Sequence, residues 1–128
     1  MKPKAQSLLR VAGRWRARPF EYGVADCCQF ARDLVREATG VDYGREWTYA
    51  SEEEAEVIIE QHGGLEGLVS RYLGEPVGPD ELEVGDLCLV QAPGFESLAA
   101  KSGQVAYMPS RAGVRAVSSH RIAKGWAL

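Results

Sequence analysis

Arg18-Pro19-Phe20-Glu21-Tyr22-Gly23-Val24-Ala25-Asp26-Cys27-Cys28-Gln29-Phe30-Ala31 is the stretch that decides how this chain is read. Pro19 sets a turn, an aromatic-glycine loop follows, and a helix opens at Cys27. Asp26 suits the N-cap, because its carboxylate accepts from the free N–H groups of the first turn. Ala31, Leu34 and Ala38 fall on the stripe of Cys27, with Phe30 and Val35 beside it, while Arg32, Asp33, Arg36 and Glu37 occupy the other side. Two readings of Cys27 follow. A thiol at the positive end of a helix, with buried neighbours, is placed as a nucleophile of depressed pKa. The commoner role of such a residue is packing, since cysteine is small and often buried, and Asp26 disfavours the thiolate that the helix end favours.

Outward from that stretch, Ala5 to Trp15 reads as a helix with Leu8, Leu9, Ala12 and Trp15 on one face. The central helix runs from Cys27 to Thr39 and is closed by Gly40. Val41 to Tyr49 is irregular, with Tyr43, Trp47 and Tyr49 packing over one edge of the core. Ser51-Glu52-Glu53-Glu54 is a capping box that opens a third helix. A fourth runs from Leu65 to Leu73 with Leu65, Leu68, Val69 and Tyr72 as its packing face. His62 falls at the end of the third helix, where a cation complements the dipole. After a proline-rich acidic connection, Asp86–Val90, Ser97–Ala100, Gln104–Met108 and Gly113–Val117 read as strands separated by glycine turns, and the tail adds a last turn or strand. Helices first and an antiparallel meander after them predict one α+β domain over 1–128. Its parts are an N-terminal helix in 1–17, a helical part in 18–74 and a β part in 85–128.

The chain has 128 residues, ample for a core without staples, and its hydrophobic content of 45% is ordinary for a globular protein. A formal net charge of -3 argues against nucleic acid as a partner. The local basic run of Lys2, Lys4, Arg10, Arg14, Arg16 and Arg18 offers either a solvated helix face or a contact for an acidic partner. No apolar run approaches a membrane span and no signal-peptide core is evident, so a cytoplasmic protein with free thiols is expected, unless it leaves within an assembly. Cys27, Cys28 and Cys88 form no disulfide framework and show no metal-ligand spacing; a metal or cluster on these three lacks an evident fourth ligand, and no cofactor is implied.

With this order in place, the chain resembles the NlpC-type cell-wall cysteine peptidases, a papain-like superfamily. Pro19-Phe20-Glu21-Tyr22-Gly23 with Asp26-Cys27-Cys28-Gln29-Phe30 matches the loop and nucleophile helix, and Gly85-Asp86-Leu87 matches the turn before the first strand. More narrowly, it is similar to a family of small phage proteins of unknown function found among tail-tip genes. The resemblance implies a papain-like fold with N-terminal helices packed on a C-terminal antiparallel sheet, and Cys27 in the nucleophile position. The superfamily's base, a histidine, falls near Ser97, and its third polar residue near Tyr107. The hydroxyl usual in the loop before the cysteine falls at Phe20. Thiol hydrolysis needs a base to hold the thiolate and protonate the leaving amine, which a serine cannot supply at neutral pH. His120, in Ser118-Ser119-His120-Arg121, is the one rescue candidate. Asp86 as an acid partner is less expected than Asp86 as a structural turn residue.

Two functions are therefore expected. The first is a virion or assembly protein of a phage tail tip, made in the host cytoplasm and carried in the tail. It keeps a degenerate peptidase fold for contacts with other tail proteins (hub, distal tail or central fibre), through the basic first helix and the aromatics of 43–49. The alternative is an active endopeptidase or amidase on peptidoglycan peptides, with Cys27 as nucleophile.

Overall fold

In the computed structural model, which describes residues 3–128, the chain is an α+β protein of four α-helices and one five-stranded antiparallel sheet. Helix α1 (Pro3–Trp15) buries Ala5, Leu8, Val11 and Trp15. Leu9, expected on that face, is 61% exposed. The stripe through Leu8, Val11 and Trp15 keeps helical spacing, and Leu9 lies one residue, about 100°, off it.

Helix α2 (Cys27–Thr39) begins and ends where the sequence places its caps. Asp26 accepts from the N–H of Gln29 at 2.9 Å and of Gly23 at 2.8 Å, and Gly40 closes the helix at φ 80 with its N–H on the Arg36 carbonyl. Phe30, Ala31, Leu34 and Val35 are buried, as the stripe predicts. Asp33, expected on the solvent side, is buried as well. It faces α1, accepting from Trp15 Nε1 at 2.9 Å, from Arg14 at 3.0 Å and from Arg36 at 2.8 Å. Burial pushes its carboxyl up, but these donors prevail and hold it below the usual range. Glu37 takes Arg14 at 2.7 Å and Arg10 at 3.2 Å. Two members of the basic run thus dock α1 on α2: Arg10 and Arg14 hold acids there, while Lys4 pairs with Glu83 and Asp86.

In α3 (Glu52–Gln61) Ser51 accepts from the Glu54 N–H, as a capping box requires, but the Glu54 carboxylate reaches the Ala50 N–H, one residue upstream of the cap. His62 caps the far end, its Nδ1 2.8 Å from the Ile58 carbonyl oxygen. Helix α4 (Gly64–Leu73) buries Leu65, Leu68 and Val69. Trp47 is buried, Tyr43 and Tyr49 are half-buried, and the Tyr72 ring lies 6.0 Å from Tyr43 and 5.8 Å from Trp47. These aromatics close the core, so they present no exposed patch to a partner.

The strands are β1 (Leu87–Ala92), β2 (Phe95–Ser102), β3 (Val105–Ser110), β4 (Gly113–Ser118) and β5 (Ile122–Trp126), in the order β4-β3-β2-β1-β5. Four strands form a meander, and β5 returns to pair with β1 after a 3₁₀ turn at 119–121. Both faces of the sheet are buried. Leu87, Leu89, Leu98, Ala100 and Trp126 pack on the helices, while Cys88, Val90, Ala99, Ala106, Met108 and Ile122 build a second core behind. At Gly85-Asp86, Gly85 sits at φ +98, where a Cβ would collide with the Lys4 carbonyl. Asp86, fully buried, accepts from the N–H groups of Glu83 and Leu128 and pairs with Lys4 at 3.0 Å. It ties the chain's two ends to β1, the structural role expected of this turn. No helix among the described residues is long and apolar enough to cross a membrane.

Candidate functional site

The start of α2, the first turns of α3 and the β1–β2 hairpin enclose a cleft of about 430 Å³. The loop expected before the nucleophile position forms one wall. Gly23, at φ +82, lies so close to the Tyr49 carbonyl that a Cβ would collide with it, which fixes the loop against the chain entering α3. Phe20 and Tyr22 stack edge to face at 4.9 Å on the cleft side of this loop.

Cys27, the first residue of α2, is half-buried on the cleft. Its thiol is held below the ordinary value, first by a hydrogen bond with the Cys28 thiol, against burial, then by hydrogen bonds with the Leu98 backbone and the Ser97 side chain; the charge of Asp26 opposes them. Cys28 moves the other way: it is buried, and both its bond to Cys27 and its burial push it up. Of this adjacent pair, Cys27 is the thiol that faces the cleft, and Cys28 is the buried one behind it.

Ser97, the residue read as standing in the base position, is brought beside Cys27. It is buried, and its Oγ lies 3.0 Å from the Leu98 carbonyl, to which it donates. A hydroxyl has one proton. That proton can go to the Leu98 carbonyl or to the Cys27 sulfur, and only in the second orientation does Ser97 favour the thiolate. It cannot store a proton at neutral pH.

The other expected site residues are not brought together. Tyr107 pairs with Ala100 across β2 and β3 and packs on the main core, while its neighbours Met108 and Pro109 line the cleft. The β2–β3 register explains this: Tyr107 lies opposite a position three residues beyond Ser97. His120 is exposed on the 3₁₀ turn between β4 and β5 and does not line the cleft, which removes it as the base. Cys88 lies in the second core, on the far face from Cys27 and Cys28, and burial pushes its thiol up to about 12. The three cysteines therefore make no common site, and the described residues hold no cluster of metal-binding side chains.

The cleft also contains groups that sequence reasoning missed. Tyr22, two residues beyond Phe20, brings a hydroxyl to the cleft; burial, with the nearby charges of Glu52, Cys27 and Asp26, pushes that phenol up. Two residues' displacement within a quoted motif was the available signal. Tyr49 lies beside Cys28 and Asp26, its hydroxyl buried and pushed far up, first by burial and then by the neighbouring Cys28 and Asp26. Glu52 and Glu56 extend from α3, and Glu96 from the hairpin. With Asp26 these give four carboxylates, and no lysine, arginine or histidine lines the cleft among the described residues. Chemically it is a thiol pocket with aromatic walls and an acidic rim, able to bind a cationic or apolar group, and no histidine lines it among the described residues.

No curated protein matches the chain. A family model does match it over residues 2–128, and the chain belongs to that family, the Domain of unknown function (DUF6950).

Proposed function

We propose that this protein is a structural or assembly component of a phage tail tip, built on a papain-like NlpC-type fold whose cleft binds a polypeptide without cleaving it. One observation carries the reading: Ser97 stands beside Cys27 where a general base is needed, and both histidines lie outside the cleft. Peptide hydrolysis through a thiol needs a group that holds and returns a proton, and losing one member of such a unit removes most of its rate advantage. What remains is a shaped cleft fixed to rigid elements, with the hub, distal tail or central fibre as partners. The phage setting rests on the resemblance of the Asp26-Cys27 and Gly85-Asp86 motifs.

A second reading is favoured by the lowered Cys27 thiol at the start of α2, which suits a nucleophile: an endopeptidase or amidase on peptidoglycan peptides. The two separate in one experiment. Purified protein and Cys27→Ser are incubated with peptidoglycan fragments and the products read by mass spectrometry, while both are tested for incorporation into tail particles. Incorporation of both, without new products, supports the binding role. Cys27-dependent cleavage refutes it.

A further inference from the structure

We propose that the groove along β4, on the second face of the sheet, is a strand-addition site for an acidic, extended segment of a partner protein. Strand β4 is an edge strand, paired with β3 alone, and no strand of the described residues covers its outer side. The register sets Arg115 opposite Met108 and Val117 opposite Ala106. Directly opposed residues share a face, so Arg115 and Val117 lie on the face where Met108 and Ala106 join the second core. A guanidinium thus occupies a position that the sheet's alternation assigns to an apolar side chain.

Arg121, on the turn after β4, lines the same groove of about 410 Å³, whose apolar walls come from Val90, Ala92, Phe95 and Val117. Both arginines are exposed, neither takes part in an ion pair, and no carboxylate lines the groove among the described residues. The contrast with Arg10, Arg14 and Arg32 is direct, since each of those holds an acid. Phe95, at the groove wall, is 42% exposed.

Two unpaired cations line one apolar groove, and a carboxylate entering it finds a guanidinium to pair with. An extended segment pairing with the open edge of β4 puts every second side chain over the groove, which is the spacing that carboxylates and apolar residues in alternation satisfy. The groove reaches from Arg115 to Ser118 on β4 across to Val90 and Ala92 on β1, so it offers more surface than a compact anion covers.

The test uses fluorescein-labelled acetyl-(Glu-Val)₃-amide and acetyl-(Lys-Val)₃-amide, with binding read by anisotropy at low salt. The acidic peptide should bind at least about tenfold tighter than the lysine peptide, and Arg115→Glu/Arg121→Glu should weaken it roughly tenfold at unchanged Tm. Arg115→Gln/Arg121→Gln, which adds no charge, replaces the reversal if that variant melts early. Equal binding of the two peptides, or binding untouched by either double variant, overturns the proposal. So does equal binding of the acidic peptide N-methylated at every residue, which keeps the charges but leaves its residues no N–H to donate to an edge, because the groove would then be a simple anion site. Dimerisation of the free protein that is lost in the double variant would assign the groove to a second copy and also overturn it.

Discussion

Replacing Asp33 tests whether the contact of α1 with α2 is what holds the Cys27 helix in place. Asp33→Ala removes the acceptor of Trp15 Nε1, and Trp15 is 2% exposed. A buried N–H left without a partner costs about 1–3 kcal/mol. The guanidinium partners are half-open, with side chains 41% exposed for Arg14 and 54% for Arg36, so each pair is worth only about 0.2–1 kcal/mol after screening. The sum is about 3 kcal/mol, or roughly 10 °C in Tm for a domain of this size. Asp33→Asn keeps an oxygen for Trp15 and removes only the charge, so about 1 kcal/mol should be lost. The pH dependence has a defined sign. Because the folded carboxyl is held below its unfolded value, its stabilising charge is fully present above the unfolded pKa of ~3.9 and is lost as pH falls through the folded one. Urea titrations should therefore show wild type above Asp33→Asn at pH 6 and the two converging in acid. A loss of less than about 1 kcal/mol for Asp33→Ala, or identical losses for both variants, would refute the network as the source of the docking energy.

Three further outcomes follow from the cleft and the turn. Iodoacetamide should modify Cys27 before Cys28 and Cys88, with its rate persisting below pH 8; Cys28→Ala should slow it at pH 7, and an unchanged pH profile would contradict the Cys28 donor. A cationic methanethiosulfonate reagent should react with Cys27 several-fold faster than an anionic one, and Glu52→Gln/Glu56→Gln should narrow the ratio; equal rates would deny the acidic rim its effect. Gly85→Ala should cost about 1–3 kcal/mol by thermal melting, since the side chain meets the Lys4 carbonyl at a positive φ; a neutral result would show that α1 can shift away.

Local chemistry wrote most of the fold into the chain. Asp26, Gly40 and Ser51 are caps whose partners lie within a few residues, so spacing alone reveals them. The short apolar run of Leu87 to Val90 and the glycine turns likewise locate strands without knowledge of their neighbours. That Ser97 comes beside Cys27 was legible as well, because the capped start of α2 and the second strand of a meander have recognisable order. What tertiary structure alone decided depends on which surfaces meet. Asp33 reads as a solvent residue until α1 lies across it, and Leu9 reads as core until the stripe's axis is fixed. Tyr107 turns to the main core, and Tyr22 joins Phe20 on the cleft, because a pairing register and a loop path, each a matter of one or two residues, are set by long-range contacts. The acidic rim joins Asp26, Glu52, Glu56 and Glu96 from three separate elements, and Arg115 becomes unusual only once Met108 stands opposite it. A residue's chemistry is local, but its pKa, its exposure and its partner are properties of the space around it, and in this chain that space is assembled by packing between distant segments.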